Sequence, residues 1–309
     1  MKSVPRPREG VGASCVSLPV GAWPTTLDFL VTRFSAIPRS EWLNRMARGE
    51  VIDDGGELVT PETCFTPHRK IYYYRSVANE PRIPFNETVL FQDEFIVVAD
   101  KPHFLPVVPA GRFVQETLLV RLKRKLGIDN LSPAHRIDRD TAGLVLFTIQ
   151  PKTRAAYHRL FRDRLIVKHY EAIAGFSAEL SFPVTLRSHL AEGPAFMQMR
   201  EVPGVPNAET HITLLAQYGN LARYALSPVS GQKHQLRVHM AALGIPIVND
   251  RLYPQLLAKD DIDCADRFDH PLQLLAKEIS FVDPLSGRAR RFTSRQRLVD
   301  LEIDAGAGK

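Results

Sequence analysis

The chain has 309 residues, 44% of them apolar, which is enough for roughly two globular domains with cores of their own. Lys and Arg number 40 against 34 Asp and Glu, a net charge of +6. This basic balance favours a polyanionic partner, nucleic acid or a membrane surface, but simple solubility explains it equally well. No apolar run approaches the ~20 residues of a membrane-spanning helix, and no signal-peptide core follows the basic N-terminus, so neither is expected.

Cysteine usage bears on the cellular compartment. The three cysteines, Cys15, Cys64 and Cys264, lie far apart in the sequence. A sparse, odd set argues against a disulfide framework, and the absence of a Cys-x-x-Cys pair argues against a structural zinc site. We therefore expect a cytoplasmic protein without a bound metal.

The N-terminal part of the chain predicts a tail and a small domain. Residues 1–24 are rich in Pro, Gly and small side chains and predict a loosely ordered tail. Residues 25–78 predict two short helices followed by a hairpin. The first helix has an apolar face within residues 27–34. The second lies between a candidate N-cap at Ser40 and a candidate C-terminal glycine at Gly49.

The remainder of the chain predicts a larger domain. Residues 79–88 contain two prolines and predict an extended linker, so the second domain is expected to span residues 89–309. Its apolar patterns predict a helix that ends at Gly127 and another that begins at Pro151. Strands and helices mix without regular alternation, which favours an α+β fold over a parallel doubly wound sheet.

The densest cluster of polar chemistry lies between Ala134 and Gly143, where six of ten residues are polar or charged. The apolar run 144–147 that follows predicts a buried strand. Asp138 and Asp140 are two residues apart and share a face if the chain is extended. They could bind a divalent cation or divide acid and base roles. Alternatively, one caps a turn and the other pairs with a neighbouring arginine.

A second polar segment spans residues 227–240, and a helix is predicted to begin near His234 and end at Gly244. His234 and His239 are five residues apart, which does not place both on one helix face as metal ligands. A basic surface helix is the alternative to a functional site.

A third segment places Tyr170 among charged residues in a predicted strand that begins at Lys168. A tyrosine in a strand is usually part of the core, but here its ring could also lie against a planar ligand. No Gly-rich phosphate loop and no Gly-x-Ser-x-Gly elbow occur in the sequence.

These segments form an ordered set of motifs. They are Phe91-Gln92-Asp93-Glu94 with Asp100-Lys101-Pro102, His135-Arg136-Ile137-Asp138 with Thr141-Ala142-Gly143-Leu144, Lys168-x-Tyr170, and Gly231-x-x-His234-Gln235-Leu236-Arg237-Val238-His239 with Gly244-x-Pro246-Ile247-Val248-x-Asp250. Together they resemble the pseudouridine synthases of the RluA type, from about Val89 to Phe281. The resemblance implies a catalytic domain of the pseudouridine synthase type, an α+β fold with a mixed, largely antiparallel sheet.

The first domain resembles, more weakly, a small RNA-binding fold of two helices and a hairpin. The matching points are Pro38-Arg39-Ser40 and Arg48-Gly49-x-Val51. The hairpin departs from that pattern, because Ile52-Asp53-Asp54-Gly55-Gly56 replaces the usual Val-Asn-Gly. The resemblance therefore leaves RNA binding by this domain open.

The resemblance also implies an activity. An RNA pseudouridine synthase breaks the bond between uracil nitrogen and ribose, turns the base and rejoins it through carbon, without net redox change, so no cofactor or metal is expected. Asp138 is the implied catalytic carboxylate, as nucleophile or as base, and Arg237 is its charge partner. Arg136 fills the gap left by the flipped base, and Tyr170 lies against the uracil. The further candidate RNA-contacting residues are His135, Lys168, His234, Gln235 and Lys101.

The implied partner is ribosomal or transfer RNA, with no membrane and no obligate protein partner. Basic faces at residues 121–125 and 154–164 would hold phosphates without reading sequence. Two alternatives remain open. One is a non-catalytic RNA-binding or ribosome-assembly factor on the same fold. The other is a metal-dependent nuclease or phosphatase in which Asp138 and Asp140 both bind the metal. Under the pseudouridine synthase interpretation, Asp140 is instead a turn residue beside Thr141.

Overall fold

The computed structural model describes residues 5–77, 79–193, 198–255 and 268–299. The expectations for Cys264 and for the end of the second domain lie outside the described residues. The chain divides into two compact units. The first comprises Met1–Glu80 with Val108–Asp129, and the second comprises Pro81–Val107 with Asn130–Lys309.

The first unit is built on a small antiparallel sheet. Its strands are β1 (Ser14–Ser17), β2 (Val51–Asp53) and β3 (Lys70–Tyr73), in the order β1-β3-β2, and its first two helices are α1 (Thr26–Arg33) and α2 (Arg39–Ala47). Thr25 caps α1 in a capping box with Asp28. Leu30 and Trp42 are fully buried between the helices and the sheet. The two predicted helices are therefore present, within a residue or two of their expected ends.

The prediction of a loosely ordered tail over residues 1–24 is wrong at β1. Residues Ser14–Ser17 pair in register with β3, and Val16 packs against the core of the unit. Leu18, which follows the strand, is 2% exposed. Composition indicated a disordered tail because it carries no information about pairing with a strand more than fifty residues away in the chain.

The first unit also includes α3 (Leu118–Leu126), which the sequence placed in the second domain. The Glu80 carboxylate accepts the backbone N–H groups of Val114, Gln115 and Glu116 at 2.7, 2.9 and 2.7 Å. Val11, Val114 and Val120 form a buried apolar cluster. The helix ends at Gly127 in the left-handed conformation, as its sequence predicts.

The described part of the second unit contains an 11-stranded sheet. Its strands are β4 (Thr88–Gln92), β5 (Ile96–Lys101), β6 (Ser132–Pro133), β7 (Ala142–Thr148), β8 (Val167–Gly175), β9 (Val184–Glu192), β10 (Met199–Val202), β11 (Ala208–Tyr218), β12 (Leu221–Pro228), β13 (Leu274–Val282) and β14 (Ala289–Thr293). The order is β10-β9-β11-β12-β8-β13-β7-β5-β4, with β14 beside β13 and β6 beside β7. Among the described pairs, β13 with β7 is parallel and the others are antiparallel.

The helices α4 (Arg154–Arg162) and α5 (Gln235–Ala242) cover this sheet. Tyr157 and Leu160 of α4 are buried against strand residues that include Leu144 and Leu146. Leu236 and Met240 of α5 pack on another cluster of strand residues, as their helical spacing predicts. The predicted α+β class with a mixed, largely antiparallel sheet is confirmed.

The centre of the sheet depends on a close backbone contact at Gly143. All seven residues of β7 are buried, which accounts for the apolar run seen in the sequence. Gly143 has φ +110°, and a Cβ atom there would lie 2.2 Å from the carbonyl oxygen of Ala276 in the parallel neighbour β13. Only glycine fits this approach, and the strand that follows the polar segment is thereby fixed against β13.

We expect Gly143→Ala to destabilise the protein strongly. The left-handed backbone costs about 1–3 kcal/mol for an alanine, and the steric overlap with Ala276 adds to it. Urea unfolding followed by circular dichroism measures the change. Gly219→Ala is the matched control, because Gly219 also has positive φ but a Cβ atom there would have no atom within 4 Å. Equal losses for the two variants would contradict the proposed role of the contact.

Candidate active site

Asp138 and Arg237 meet at one point, although they are 99 residues apart in the chain. Asp138 lies on the segment between β6 and β7, and Arg237 lies in the first turns of α5. The Arg237 Nη1 donates to Asp138 Oδ2 at 3.2 Å. The Asp138 side chain is 26% exposed and that of Arg237 is 3% exposed, so the carboxylate is accessible while its partner is not. The negative charge of Asp138 is therefore accessible to solvent, and the positive charge that balances it is buried.

Asp250 fixes the position of Arg237. Its carboxylate accepts Arg237 Nε at 2.8 Å and Nη2 at 2.6 Å, a two-pronged ion pair. Oδ1 of Asp250 also accepts the backbone N–H groups of Leu252 and Tyr253. Burial opposes the charge of Arg237, but Asp250 outweighs it, and together with Asp138 it raises the pKa of Arg237 above its usual value. Arg237 is therefore a permanent, immobile cation.

His234 lies on the other side of Asp138. Its Nε2 is 3.9 Å from Asp138 Oδ1, and its Nδ1 is 2.9 Å from the hydroxyl of Tyr253. The two rings meet edge to face. Burial lowers the pKa of His234, although Asp138 acts in the opposite direction, so the neutral ring is favoured.

The segment that carries Asp138 is held by two residues at the end of β5 and just after it. Lys101 Nζ donates to the carbonyl oxygen of Arg139 at 2.9 Å, and His103 Nδ1 lies 2.7 Å from that of Asp140. The side chain of Asp140 accepts Arg139 Nε at 2.9 Å. The backbone carbonyl groups of Arg139 and Asp140, which follow Asp138, are thus both held by side chains, and the carboxylate of Asp140 pairs with Arg139.

Lys101 and Gln235, both predicted to contact RNA, are engaged within the protein. Lys101 is fully buried, and its amine donates to the carbonyl oxygens of Pro102 and Arg139. Burial lowers its pKa to about 7. Gln235 is 4% exposed, with its amide engaged by Ser230 and Thr210. The observed contacts of these two side chains stabilise the loops that form the site, and their contact with RNA stays a prediction.

His135 is half-buried in the second unit. Its ring stacks on Phe161 at 4.4 Å, and its Nε2 accepts the backbone N–H of Leu146 at 3.1 Å. Burial, followed by the nearby Lys168, lowers the pKa of His135 to about 3. The observed contacts of this ring are therefore with the fold, and its predicted contact with RNA stays a prediction.

Tyr170 and Lys168 lie on β8 beside the site. Tyr170 is half-buried, and burial raises the pKa of its hydroxyl, with a further contribution from Asp138. Lys168 Nζ donates to the carbonyl oxygen of Ser230 at 2.7 Å, and burial lowers its pKa to about 8. Arg136, two residues before Asp138, is exposed. The structure thus pairs Asp138 with Arg237 directly and places the Tyr170 hydroxyl within electrostatic range of Asp138.

Sequence reasoning missed the roles of Asp250, Tyr253 and His103. Asp250 was noticed as part of a motif, but nothing in its spacing indicates that it binds Arg237. Tyr253 and His103 carry no signal beyond their proximity to motif residues. Within the described ranges, no group of three or more His, Cys, Asp or Glu side chains could hold a metal ion, so Asp138 with Asp140 gains no support as a metal site.

The sequence and the fold match those of known proteins. Residues 95–242 match the family described as RNA pseudouridylate synthase. The solved structure of human RNA pseudouridylate synthase domain containing 1 superposes with a TM-score of 0.56 at 21% identity, over 70% of this chain and 86% of that one. At this identity the superposition shows a shared fold. The class defined is that of the RNA pseudouridine synthases.

Curated relatives specify the family. An uncharacterized RNA pseudouridine synthase of Synechocystis sp. is 31% identical over 74% of this chain and 78% of its own length. The dual-specificity RNA pseudouridine synthase RluA of Haemophilus ducreyi is 32% identical over 69% of this chain and 95% of its own length. The tRNA pseudouridine(31) synthase of Saccharomyces cerevisiae is 28% identical over 75% of this chain and 67% of its own length. This chain belongs to the RluA-type pseudouridine synthases and is an RNA-modifying isomerase.

None of the helices in the described part of the chain is long and apolar enough to cross a bilayer.

Asp250→Asn should destabilise the second unit, because it leaves the buried guanidinium of Arg237 without its main counter-charge. Breaking a buried ion pair costs on the order of 3–5 kcal/mol of the free energy of unfolding. Urea unfolding of the variant and the wild type measures this loss. Asp163→Asn is the control, since the same change there breaks an exposed pair with Arg162, worth about 1 kcal/mol or less. Similar losses in the two variants would show that Asp250 is not a structural anchor.

His135→Gln should remove part of the acid sensitivity of folding. The folded pKa of His135, about 3, lies below its ordinary value of 6.5, so the unfolded state binds more protons between these values. Its contribution to stability is present above pH 6.5 and is lost as the pH falls toward 3. Between pH 6.5 and 4.5 we expect the wild type to lose at least ~1 kcal/mol more than the variant.

The control for that experiment is His158→Gln, the same change at an exposed position of α4. Chemical unfolding at a series of pH values should give this variant the profile of the wild type. A His135→Gln profile parallel to both would contradict a buried neutral ring.

Proposed function

We propose that this enzyme isomerises a uridine of structured ribosomal or transfer RNA, and that Asp138 is the carboxylate that acts at the ribose. The observation that carries the proposal is the ion pair of half-exposed Asp138 with buried Arg237, at 3.2 Å. A reacting carboxylate must be accessible to the sugar while its charge is balanced from the protein side. Asp138 meets both requirements.

The reaction needs one carboxylate and no electron acceptor. The bond between uracil N1 and ribose C1′ breaks, the base turns, C5 bonds to C1′, the C5 proton leaves and N1 gains one. Asp138 either attacks C1′ or removes a proton from the sugar, and both routes require the ionised carboxylate. Arg237 stabilises that form without competing for the proton, since its own pKa is raised.

The target base must leave its stack before it reaches Asp138, at a cost of a few kcal/mol. The Tyr170 hydroxyl is within electrostatic range of the carboxylate, and its ring would stack on the uracil, which contributes about 1–3 kcal/mol. Arg136, exposed two residues before Asp138, would occupy the place that the base vacates. His135 and Lys168 are proposed as further RNA contacts, as is His234, which lies beside Asp138.

The choice of RNA rests on the relatives and on charge. The relatives' names specify a dual-specificity RNA enzyme and a transfer-RNA enzyme. Arg159 is exposed on α4, and the exposed Arg162 beside it could bind backbone phosphate in exchange for Asp163. The exposed, unpaired Cys15 and Cys64 suit a reducing compartment, and we place the enzyme in the cytoplasm.

We expect Asp138→Asn to abolish tritium release from RNA labelled at uracil C5, a loss of at least about 100-fold in kcat, because the amide can act neither as nucleophile nor as base. Glu179→Gln, the same carboxylate-to-amide change at an exposed position with no proposed contact to RNA, should behave as the wild type. Release by the wild type should persist in a chelator. Full activity of Asp138→Asn would refute its assignment as the catalytic carboxylate, and loss of release in chelator would favour a metal-dependent reaction.

A further inference from the structure

The two oxygens of Asp138 have different neighbours. Oδ2 accepts a hydrogen bond from Arg237 at 3.2 Å, whereas Oδ1 faces the Nε2 of His234 at 3.9 Å. The second contact is too long for a hydrogen bond, yet the His234 side chain is 5% exposed and is confined beside the carboxylate. The proposed reaction assigns no chemical step to this histidine.

The hydrogen bonds of Tyr253 favour one tautomer of His234. The Tyr253 hydroxyl oxygen accepts the backbone N–H of Met199 at 2.8 Å, which leaves the hydroxyl hydrogen free to be donated. His234 Nδ1 lies 2.9 Å from that oxygen, and we assign it as the acceptor. In this assignment the neutral ring, favoured by burial, carries its hydrogen on Nε2, the atom that faces Asp138.

The backbone of His234 is held in an unusual conformation. Its φ of +55° and ψ of 15° lie in the left-handed region, immediately before α5 begins. Asparagine tolerates this region far better than most residues with a Cβ atom. Strain of this kind persists where the surrounding structure requires a particular side-chain direction, and it is concentrated at functional sites.

We propose that His234 is a positioning residue that holds Oδ1 of Asp138 through Nε2–H while Arg237 holds Oδ2, so that the carboxylate meets the ribose in one orientation. This inference rests on the proposed role of Asp138. The gap of 3.9 Å closes when RNA is bound, since catalytic hydrogen bonds are often long in the free enzyme. A neutral N–H donor orients the carboxylate and leaves its charge intact.

Glutamine and asparagine at position 234 separate this role from a structural one. The amide nitrogen of glutamine reaches the position of histidine Nε2, so His234→Gln keeps a donor for Asp138. The shorter asparagine amide reaches only the position of Nδ1, so His234→Asn keeps the contact with Tyr253 and loses that donor. The left-handed backbone at position 234 is more favourable for asparagine than for glutamine. A purely structural role of His234 therefore predicts that His234→Asn is more active than His234→Gln.

The experiment measures kcat and KM of full-length variants by tritium release from C5-labelled RNA, with folding checked by circular dichroism. We expect His234→Asn to lower kcat roughly tenfold at unchanged KM, the effect of one lost hydrogen bond, and His234→Gln to recover most of it. Tyr253→Phe, which keeps the ring and removes the hydrogen bond that favours this tautomer, should lower kcat at unchanged KM.

Wild-type kcat in a folded His234→Asn would overturn the inference, and so would a folded His234→Gln that is no more active than His234→Asn. If His234→Gln does not fold, the result for His234→Asn decides. Asp138→Asn is measured alongside. If Asp138→Asn is active, the proposed function fails, whereas an inactive Asp138→Asn beside a fully active His234→Asn refutes only the role of His234.

Discussion

The buried guanidinium of Arg237 is the charge on which the site depends. A desolvated cation costs several kcal/mol unless opposing charges and hydrogen bonds compensate it. Asp250 supplies that compensation from one side with two short hydrogen bonds, and its own carboxylate is fixed by backbone N–H groups. Asp138 approaches from the other side and remains half-exposed. The position of the accessible carboxylate is therefore set by a cation that cannot move.

The sheet supplies the second constraint. The segment that carries Asp138 leads into β7, which lies between β5 and β13. On the β5 side, Lys101 and His103 hold the carbonyls of the two residues after Asp138. On the β13 side, the contact of Gly143 with Ala276 allows no side chain. Because both sides are fixed, the geometry of the site follows from strand order as much as from the motif residues.

Much of the local structure could be predicted from the sequence. Apolar spacing located α1, and the glycines Gly49 and Gly127 located the ends of α2 and α3 closely, whereas the N-cap of α2 is Pro38 and not the predicted Ser40. The apolar run after Gly143 proved to be the fully buried β7. The strand β1 was missed because its pairing with β3 is a long-range property. The burial of Lys101 was also missed, since no local pattern reveals that a lysine is fully buried with its amine on two carbonyl oxygens.

The sequence by itself determined the family-like motifs, and with them the residue types that the chemistry requires: a carboxylate, an arginine and a tyrosine in a fixed order along the chain. The spacing of Asp138 and Asp140 alone did not separate the two carboxylates, and it was the resemblance of the motifs that favoured Asp138. The tertiary structure gives them different partners, because packing of α5 against the sheet brings Arg237 to Asp138, while Asp140 pairs with Arg139. Burial and long-range pairing, which depend on the whole fold, decided which charged residues are accessible and which hold the protein together.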